Sequence, residues 1–390
     1  MGAIGGIFQY ATQTAYSLDP MLPVRMSRAM SVRGGAQRAA YINKKAALLQ
    51  NTAAQEVSFC PPRPLTRTAS GYSYTVVADG TPKVCELTAE ETLFDAAEQA
   101  LEAYIALGSD FTATLCGNFA LAILDERRSE LLLLQGAQSN RPLFYCNDSV
   151  RFAFASEIKG LLRCLGDGIR IGRDRLWAYL SAPCGSACSA SLYEDIATLP
   201  KGTGGVCSAL GFSRFSYLSP TVANISPTTD FPITPPLLAP KAEELSYYLR
   251  DILFAFDYPQ FDPWMPGLIN TVRQSKLSVG SRATAVCDVS LYLGIDYAAE
   301  RADRLGALCG VSLVPIAPQE FSTKERQLKQ LDRSLQELLS CSDLALLRHL
   351  FGTERLQSIR QERNLTKRIR MRGMLYQLLL WAEHYPIVFT

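Results

Sequence analysis

Few residues in this 390-residue chain have the type and spacing that chemistry needs. The chain opens MGAIGGIF, and an N-terminal nucleophile requires a hydroxyl or thiol beside a free amine; Gly2 supplies neither. Eleven cysteines are an odd number, and only Cys184 and Cys188 lie near each other in sequence. With no CxxC pair and only His349 and His384 to complete a ligand set, no zinc spacing appears and no metal is expected. Both histidines fall on helix patterns, where capping or packing is the expected role. There is no GxxxxGKS or GxxxxGKT string and no paired acidic cluster suited to Mg²⁺, so no cofactor is expected either. The basic run KRIRMR, Lys367 to Arg372, reads as the solvated face of a terminal helix. The segment FDYPQFDPWMPGL, Phe256 to Leu268, reads as a packed loop, with a docking surface built on Tyr258, Phe261 and Trp264 as the alternative.

Those residues must be positioned by ordinary globular elements. Hydrophobic residues make up 48% of the chain and aromatic residues 9%, and 39 basic against 37 acidic side chains leave a formal charge of +2. Charge so near balance excludes a nucleic-acid surface field, and no 18-residue apolar run suggests a membrane span. Scattered cysteines without a signal-peptide pattern give the expectation of a cytoplasmic protein with reduced thiols. Length favours about two domains. In the first half, NFALAIL, ELLLL, PLFYC and RFAFAS are short apolar runs separated by polar turns, as in antiparallel strands buried on both faces. Thr88 and Glu91 have capping-box spacing, and Leu93, Ala97, Leu101, Tyr104 and Ile105 continue at helical intervals up to Gly108. From Pro220 to Pro240 prolines crowd a stretch poor in charge, which marks a linker. Beyond it the period becomes helical. Leu245, Tyr248, Leu249, Ile252, Leu253 and Phe256 form one stripe, and Leu328, Leu331, Leu335, Leu338 and Leu339 form another, preceded by a Ser322–Glu325 capping box. MRGMLYQLLLWAEHYPIVF adds a third helix and a short tail.

Taken together, these pieces resemble glutamine-dependent asparagine synthetases, whose N-terminal domain is a class II glutamine amidotransferase of the N-terminal-nucleophile hydrolase fold. MGAIGGIF resembles the family's Cys-Gly-Ile start, SRAMSVRGGAQRAAYI its His-Arg-Gly-Pro-Asp segment, and YTVVADGTPKVCEL its strand ending in Asn-Gly-Glu. The closest likeness is LCGNFALAILDERRSELLLL followed by RPLFYCNDSVRFAFASEIKGLL, and SLYEDIATLPKG with RFSYL resembles the exit from that domain. The resemblance implies an α+β chain. An αββα layered amidotransferase-like domain over 1–219 is followed by a linker over 220–240 and a smaller, mostly helical remnant of the synthetase domain over 241–390.

The resemblance also says what has changed. Gly2 stands where the family has its nucleophilic cysteine, and Asp79 with Gly80 where it has the Asn and Gly of the oxyanion hole. An ionised carboxylate offers no donor to an oxyanion. Thr81 and Ala96 replace the acids that hold the substrate ammonium, and Gln135 with Gly136 replaces an Arg-Asp pair. Arg33 alone matches a family ligand residue, the carboxylate-binding arginine. The Ser-Gly-Gly-x-Asp-Ser pyrophosphate loop is missing: Gly204-Gly205 lacks the following Asp-Ser, and SVGSR shares only two residues with it. These losses imply a pseudoenzyme that works as a scaffold, by partner binding or by small-amino-acid binding. An active amidotransferase or amide-forming enzyme using other residues is the alternative. The expected partner is a second copy, an active synthetase or another biosynthetic protein, docked through aromatic residues near Trp264, with no nucleic acid and no membrane.

Overall fold

A computed structural model describes residues 2–10, 18–31, 37–52, 64–85, 96–166, 168–181, 192–217, 232–233, 239–261, 263, 265–267, 269–270, 284–287, 312–315, 325–385 and 387–390. The chain divides into two compact units, 1–166 with 195–225 and 167–194 with 226–390. The second unit thus takes in the segment 167–194, which a boundary drawn in the proline run assigns to the first.

In chain order, the first unit begins with β1 (Gly2–Gln9), α1 (Met21–Ala29), β2 (Gln37–Ile42), β3 (Ala46–Thr52), β4 (Leu65–Ala69), β5 (Tyr72–Gly80) and β6 (Lys83–Val84). It continues with α2 (Ala96–Leu107), β7 (Leu115–Cys116), β8 (Phe119–Asp125), β9 (Glu130–Gln135), β10 (Phe144–Asn147), β11 (Arg151–Ala155) and α3 (Ile158–Leu165). After β12 (Ile169–Ile171) and α4 (Arg173–Ser181), which belong to the second unit, the first is completed by β13 (Ala197–Thr198), β14 (Thr203–Ser208) and β15 (Gly211–Ser216). Two six-stranded sheets result, in the orders β13-β10-β11-β1-β3-β2 and β15-β14-β9-β8-β5-β4, each antiparallel throughout.

Strand alternation explains the layers. β8 is buried along its whole length because its two faces serve two cores. Ala120, Ala122 and Leu124 join Ile4, Phe8, Leu48 and Phe154 between the sheets. Phe119, Leu121 and Ile123 meet Ala100, Leu101 and Tyr104 of α2 on the outer side. α1 and α3 cover the far face of the other sheet, which gives the αββα order implied by the resemblance. The glycines of MGAIGGIF have a packing role within this frame. A Cβ on Gly6 would lie 2.5 Å from the Phe154 ring, so the small residue lets β1 sit flush beneath it.

The two hairpins read from the sequence are present, β8–β9 and β10–β11, but they lie in different sheets. The Thr88–Glu91 capping box, Leu93 and Ser322 fall outside the described residues, as does most of the linker.

The second unit holds β16 (Pro232–Ile233), α5 (Ala242–Phe256), β17 (Thr284–Cys287), β18 (Ser312–Pro315), α6 (Glu325–Cys341), α7 (Ala345–Gln361), α8 (Leu365–His384) and β19 (Ile387–Phe389). The stripe on α5 is buried as its spacing predicts, and Glu243 and Glu244 stand in its first turn, where the helix dipole favours acids. Asn364 caps α8 by accepting from the Lys367 amide at 3.0 Å. The unit is mostly helical, as expected, and β16, β17 and β18 add a short three-stranded parallel ladder to it. One expectation needs correction: KRIRMR is not a solvated face, since Arg370 and Arg372 are each only 8% exposed. Asp332 of α6 accepts from Arg368 Nε and Nη2 at 3.1 and 2.9 Å and from Arg372 Nη1 at 2.8 Å, which satisfies charges that otherwise require water.

Candidate functional site

The N-terminal end of β1 is the place where the resemblance puts chemistry. Gly2 pairs with Thr52 of β3. A Cβ on residue 2 would lie 3.3 Å from the Asn51 carbonyl oxygen and 3.7 Å from Asp79 Oδ1. Any side chain at this position therefore projects toward the end of β5 in the opposing sheet. Asp79 faces it because Val77, two residues earlier on the same strand face, belongs to the core between the sheets.

Asp79 is completely buried. Burial of a carboxylate demands compensation, and two neighbours contribute. Arg141 Nη1 stands 3.6 Å from Oδ1, and the Ser156 hydroxyl donates to Oδ2 at 3.4 Å. Ser156 is itself fixed to β1: its Oγ accepts from the Ile4 amide at 3.0 Å, and its own amide donates to the Ile4 carbonyl at 2.8 Å. Its hydroxyl is thus engaged as both donor and acceptor. Arg141 is brought in by a polar turn, in which Asn118 Oδ1 accepts from Ser139 Oγ and the Asn140 amide, and Ser139 Oγ accepts from the Arg141 amide.

The strand end that carries Asp79 is fixed by its neighbour. Gly80 has φ +92°, and a Cβ there would lie 2.1 Å from the Asn118 carbonyl oxygen, so only glycine fits. The close approach lets the Thr81 amide donate to that same oxygen at 3.0 Å. On the other side of residue 2, the buried Asn51 amide exchanges hydrogen bonds with Ser27, accepting from its hydroxyl and donating to its carbonyl, both at 2.7 Å. These bonds tie α1 to β3.

The structure brings Gly2, Asp79 and Gly80 into one neighbourhood. Thr81 is exposed and Ala96 opens α2, half-buried. Gln135 lies at the end of β9, where its carbonyl accepts from the Tyr217 hydroxyl and the Gly202 amide. Arg33 and Trp264 lie outside the described residues. Phe261 is fully buried and Tyr258 is half-buried with its ring edge-on to Tyr179, so both serve the core of the second unit and neither is the exposed anchor of the docking alternative. Arg141 and Ser156 were not singled out from the sequence, because only the tertiary fold carries them to Asp79.

Elsewhere, His384 Nδ1 lies 2.8 Å from the Leu380 carbonyl and His349 Nε2 lies 3.2 Å from Arg173 Nη2. In the second unit Arg348, Arg360 and Arg372 share the lining of a cavity of about 570 Å³ with leucines of α6 and α7. Burial lowers the Arg372 pKa from its ordinary value, the Asp332 carboxylate opposes that shift, and Arg368 and Arg360 add to it. Among the described residues, no three acids, histidines or cysteines group as metal ligands, and no helix is long and apolar enough to cross a membrane.

The glutamine amidotransferase domain family matches residues 1–218, more than half of the chain. No curated protein is matched by sequence. Among solved structures, the chain is similar to an allosteric regulatory enzyme of purine biosynthesis, at 11% identity over 84% of this chain and 69% of that one, with a TM-score of 0.41. It is similar to glutamine phosphoribosylpyrophosphate amidotransferase from B. subtilis, at 12% identity over 82% and 69%, with a TM-score of 0.40. A glutamine aminotransferase class-II domain protein from Silicibacter pomeroyi aligns at 9% identity over 56% and 98%, with a TM-score of 0.27.

Proposed function

The chain belongs to the glutamine amidotransferase domain family, and we propose that within it this protein is a pseudoenzyme of the asparagine synthetase kind, acting by binding and without turning glutamine over. One observation carries the reading: the space in front of residue 2 faces the carboxylate of Asp79. Acyl transfer from glutamine needs a nucleophile at the first position and donors aimed at the oxygen that becomes negative. Gly2 has no side chain, and the group opposite it is a carboxyl in place of an amide donor. A tetrahedral oxyanion formed there lacks the amide donor that it needs.

The second unit supports the same reading. The residues after β17 read DVSL, without the paired glycines of the pyrophosphate loop that the resemblance leads one to look for after a parallel strand. Neither half of the synthetase reaction then has its machinery, and what remains is a folded scaffold for a partner or for a small amino acid. The partner class we propose is a second copy of the chain, an active synthetase or another biosynthetic protein.

Glutamine incubated with the purified chain is expected to release ammonia and glutamate at the rate of a protein-free blank, with or without aspartate and ATP-Mg²⁺. Release that survives purification to homogeneity overturns the proposal.

A further inference from the structure

Two cysteines of the first unit stand against each other in a way that neither the sequence spacing nor the proposed function explains. β6 pairs with β7 so that Lys83 lies opposite Cys116 and Val84 opposite Leu115. One residue beyond the ladder, the Cys85 amide donates to the Thr114 carbonyl at 2.9 Å, which extends the same register. Side chains alternate along a strand, so Cys85 emerges on the face of Lys83 and diagonally across from Cys116. Their Sγ atoms are 2.6 Å apart, against about 2.05 Å for a covalent S–S bond. Cys85 is exposed, whereas Cys116 is 2% exposed. Cys146, Cys164 and Cys207 are buried in the same unit.

We propose that Cys85 and Cys116 are an oxidative modification site, a dithiol that hydrogen peroxide or an organic hydroperoxide converts to an intramolecular disulfide. The Cys85 thiolate attacks the terminal oxygen of the peroxide, the O–O bond breaks, and Cys85 becomes a sulfenic acid while hydroxide, or the alkoxide of an organic peroxide, leaves and takes up a proton. The Cys116 sulfur then attacks the Cys85 sulfur, the S–O bond breaks, and the departing hydroxide takes the Cys116 proton as water. With hydrogen peroxide, two thiols lose two electrons and two protons, and the peroxide is reduced to two waters. Exposure fixes the order, since a solvent-borne oxidant meets Cys85 first. Burial and the adjacent Cys85 push the Cys116 thiol up to about 11, which slows its direct oxidation; its proximity to Cys85 compensates in the second step.

The bond would close just before Gly117 and Asn118. Asn118 receives the Thr81 amide on its carbonyl and holds the turn that presents Arg141 to Asp79.

The test uses the full chain. It is treated with hydrogen peroxide at neutral pH, denatured, alkylated and digested, and the peptides are mapped by mass spectrometry with and without dithiothreitol. The expected result is a reducible peptide joining Cys85 to Cys116, with alkylation lost at both positions together and restored by the reductant. In Cys116→Ser, Cys85 is expected to stop at a sulfenic acid that dimedone traps. Full alkylation of both residues after peroxide, or a Cys85 linked to some other cysteine, overturns the proposal. The map of the unsubstituted chain decides the matter even where the variant folds poorly.

Discussion

Asp79 and Asp332 are both buried aspartates facing arginine, and they do different work in their respective units. Asp332 has both oxygens engaged: α8 supplies two guanidinium groups, with three bonds between 2.8 and 3.1 Å. Asp332 lies on α6, so the ion cluster joins two helices whose pairing dominates the second unit. Asp79 lies 3.6 Å from its arginine and 3.4 Å from a serine hydroxyl, both long for charge-assisted bonds. The first arrangement is a clamp that holds two helices together; the second is a carboxyl at a strand end, opposite residue 2, whose arginine and serine contacts are longer. The short cluster reports on stability, whereas on the proposed reading the strand-end carboxyl reports on chemistry the site does not perform.

Substitutions can break that comparison. Asp332→Ala should have the largest effect, a loss of about 3–5 kcal/mol, because it leaves two arginines of α8 without their acid; the urea unfolding midpoint of the full chain measures it. Gly80→Ala comes next. It combines a left-handed backbone with a backbone clash at Asn118, for a loss of about 2–4 kcal/mol in the same assay. Asp79→Asn should lose only about 1–2 kcal/mol, since the amide keeps an oxygen for the Ser156 hydroxyl and Arg141 retains some access to water. A loss as large as that of Asp332→Ala would erase the distinction between clamp and remnant. The smallest effect is expected for Gly2→Cys, with stability changed by about 0.5 kcal/mol or less and glutamine hydrolysis still at the blank rate. The thiol returns in that variant, but Asp79 still faces it. Measurable turnover would show that the pocket retains donors other than those identified.

Much of the fold could be read from residue patterns because those patterns reflect local geometry. The α5 stripe and the leucines at 328, 331 and 335 are buried as a 3.6-residue period demands. The unbroken apolar run of β8 announces a strand covered on both faces. Other features depend on partners distant in sequence. KRIRMR looks solvated until Asp332, 36 positions before Arg368, is placed beside it. β9 and β10 follow one another in the chain yet enter different sheets, and nothing in the intervening turn residues encodes that change. The parallel ladder of β16, β17 and β18 is built from strands of two to four residues, too short for any period to show. In the site, Gly2, Asp79 and Gly80 were legible through the resemblance, because each sits in a quoted motif. Arg141 and Ser156 reach Asp79 only through the turn at 139–141 and the pairing of β11 with β1, which no local pattern reveals.

The pairing of β12 with β19 also has a bearing on how the chain is made. Ile169–Ile171 runs parallel to Ile387–Phe389, and Arg173 Nη2 donates to the Phe389 carbonyl across 216 positions of sequence. At synthesis rates of about 5–20 residues per second, β12 leaves the ribosome roughly 10 to 40 s before its partner strand exists. Throughout that interval its edge is unpaired, while the sheets of the first unit need nothing beyond residue 225. Folding is thus expected to be ordered in time, with the sandwich complete early and the segment 167–194 waiting for the last strand. That delay is the period in which a chaperone, or a neighbouring nascent chain, has access to the β12 edge.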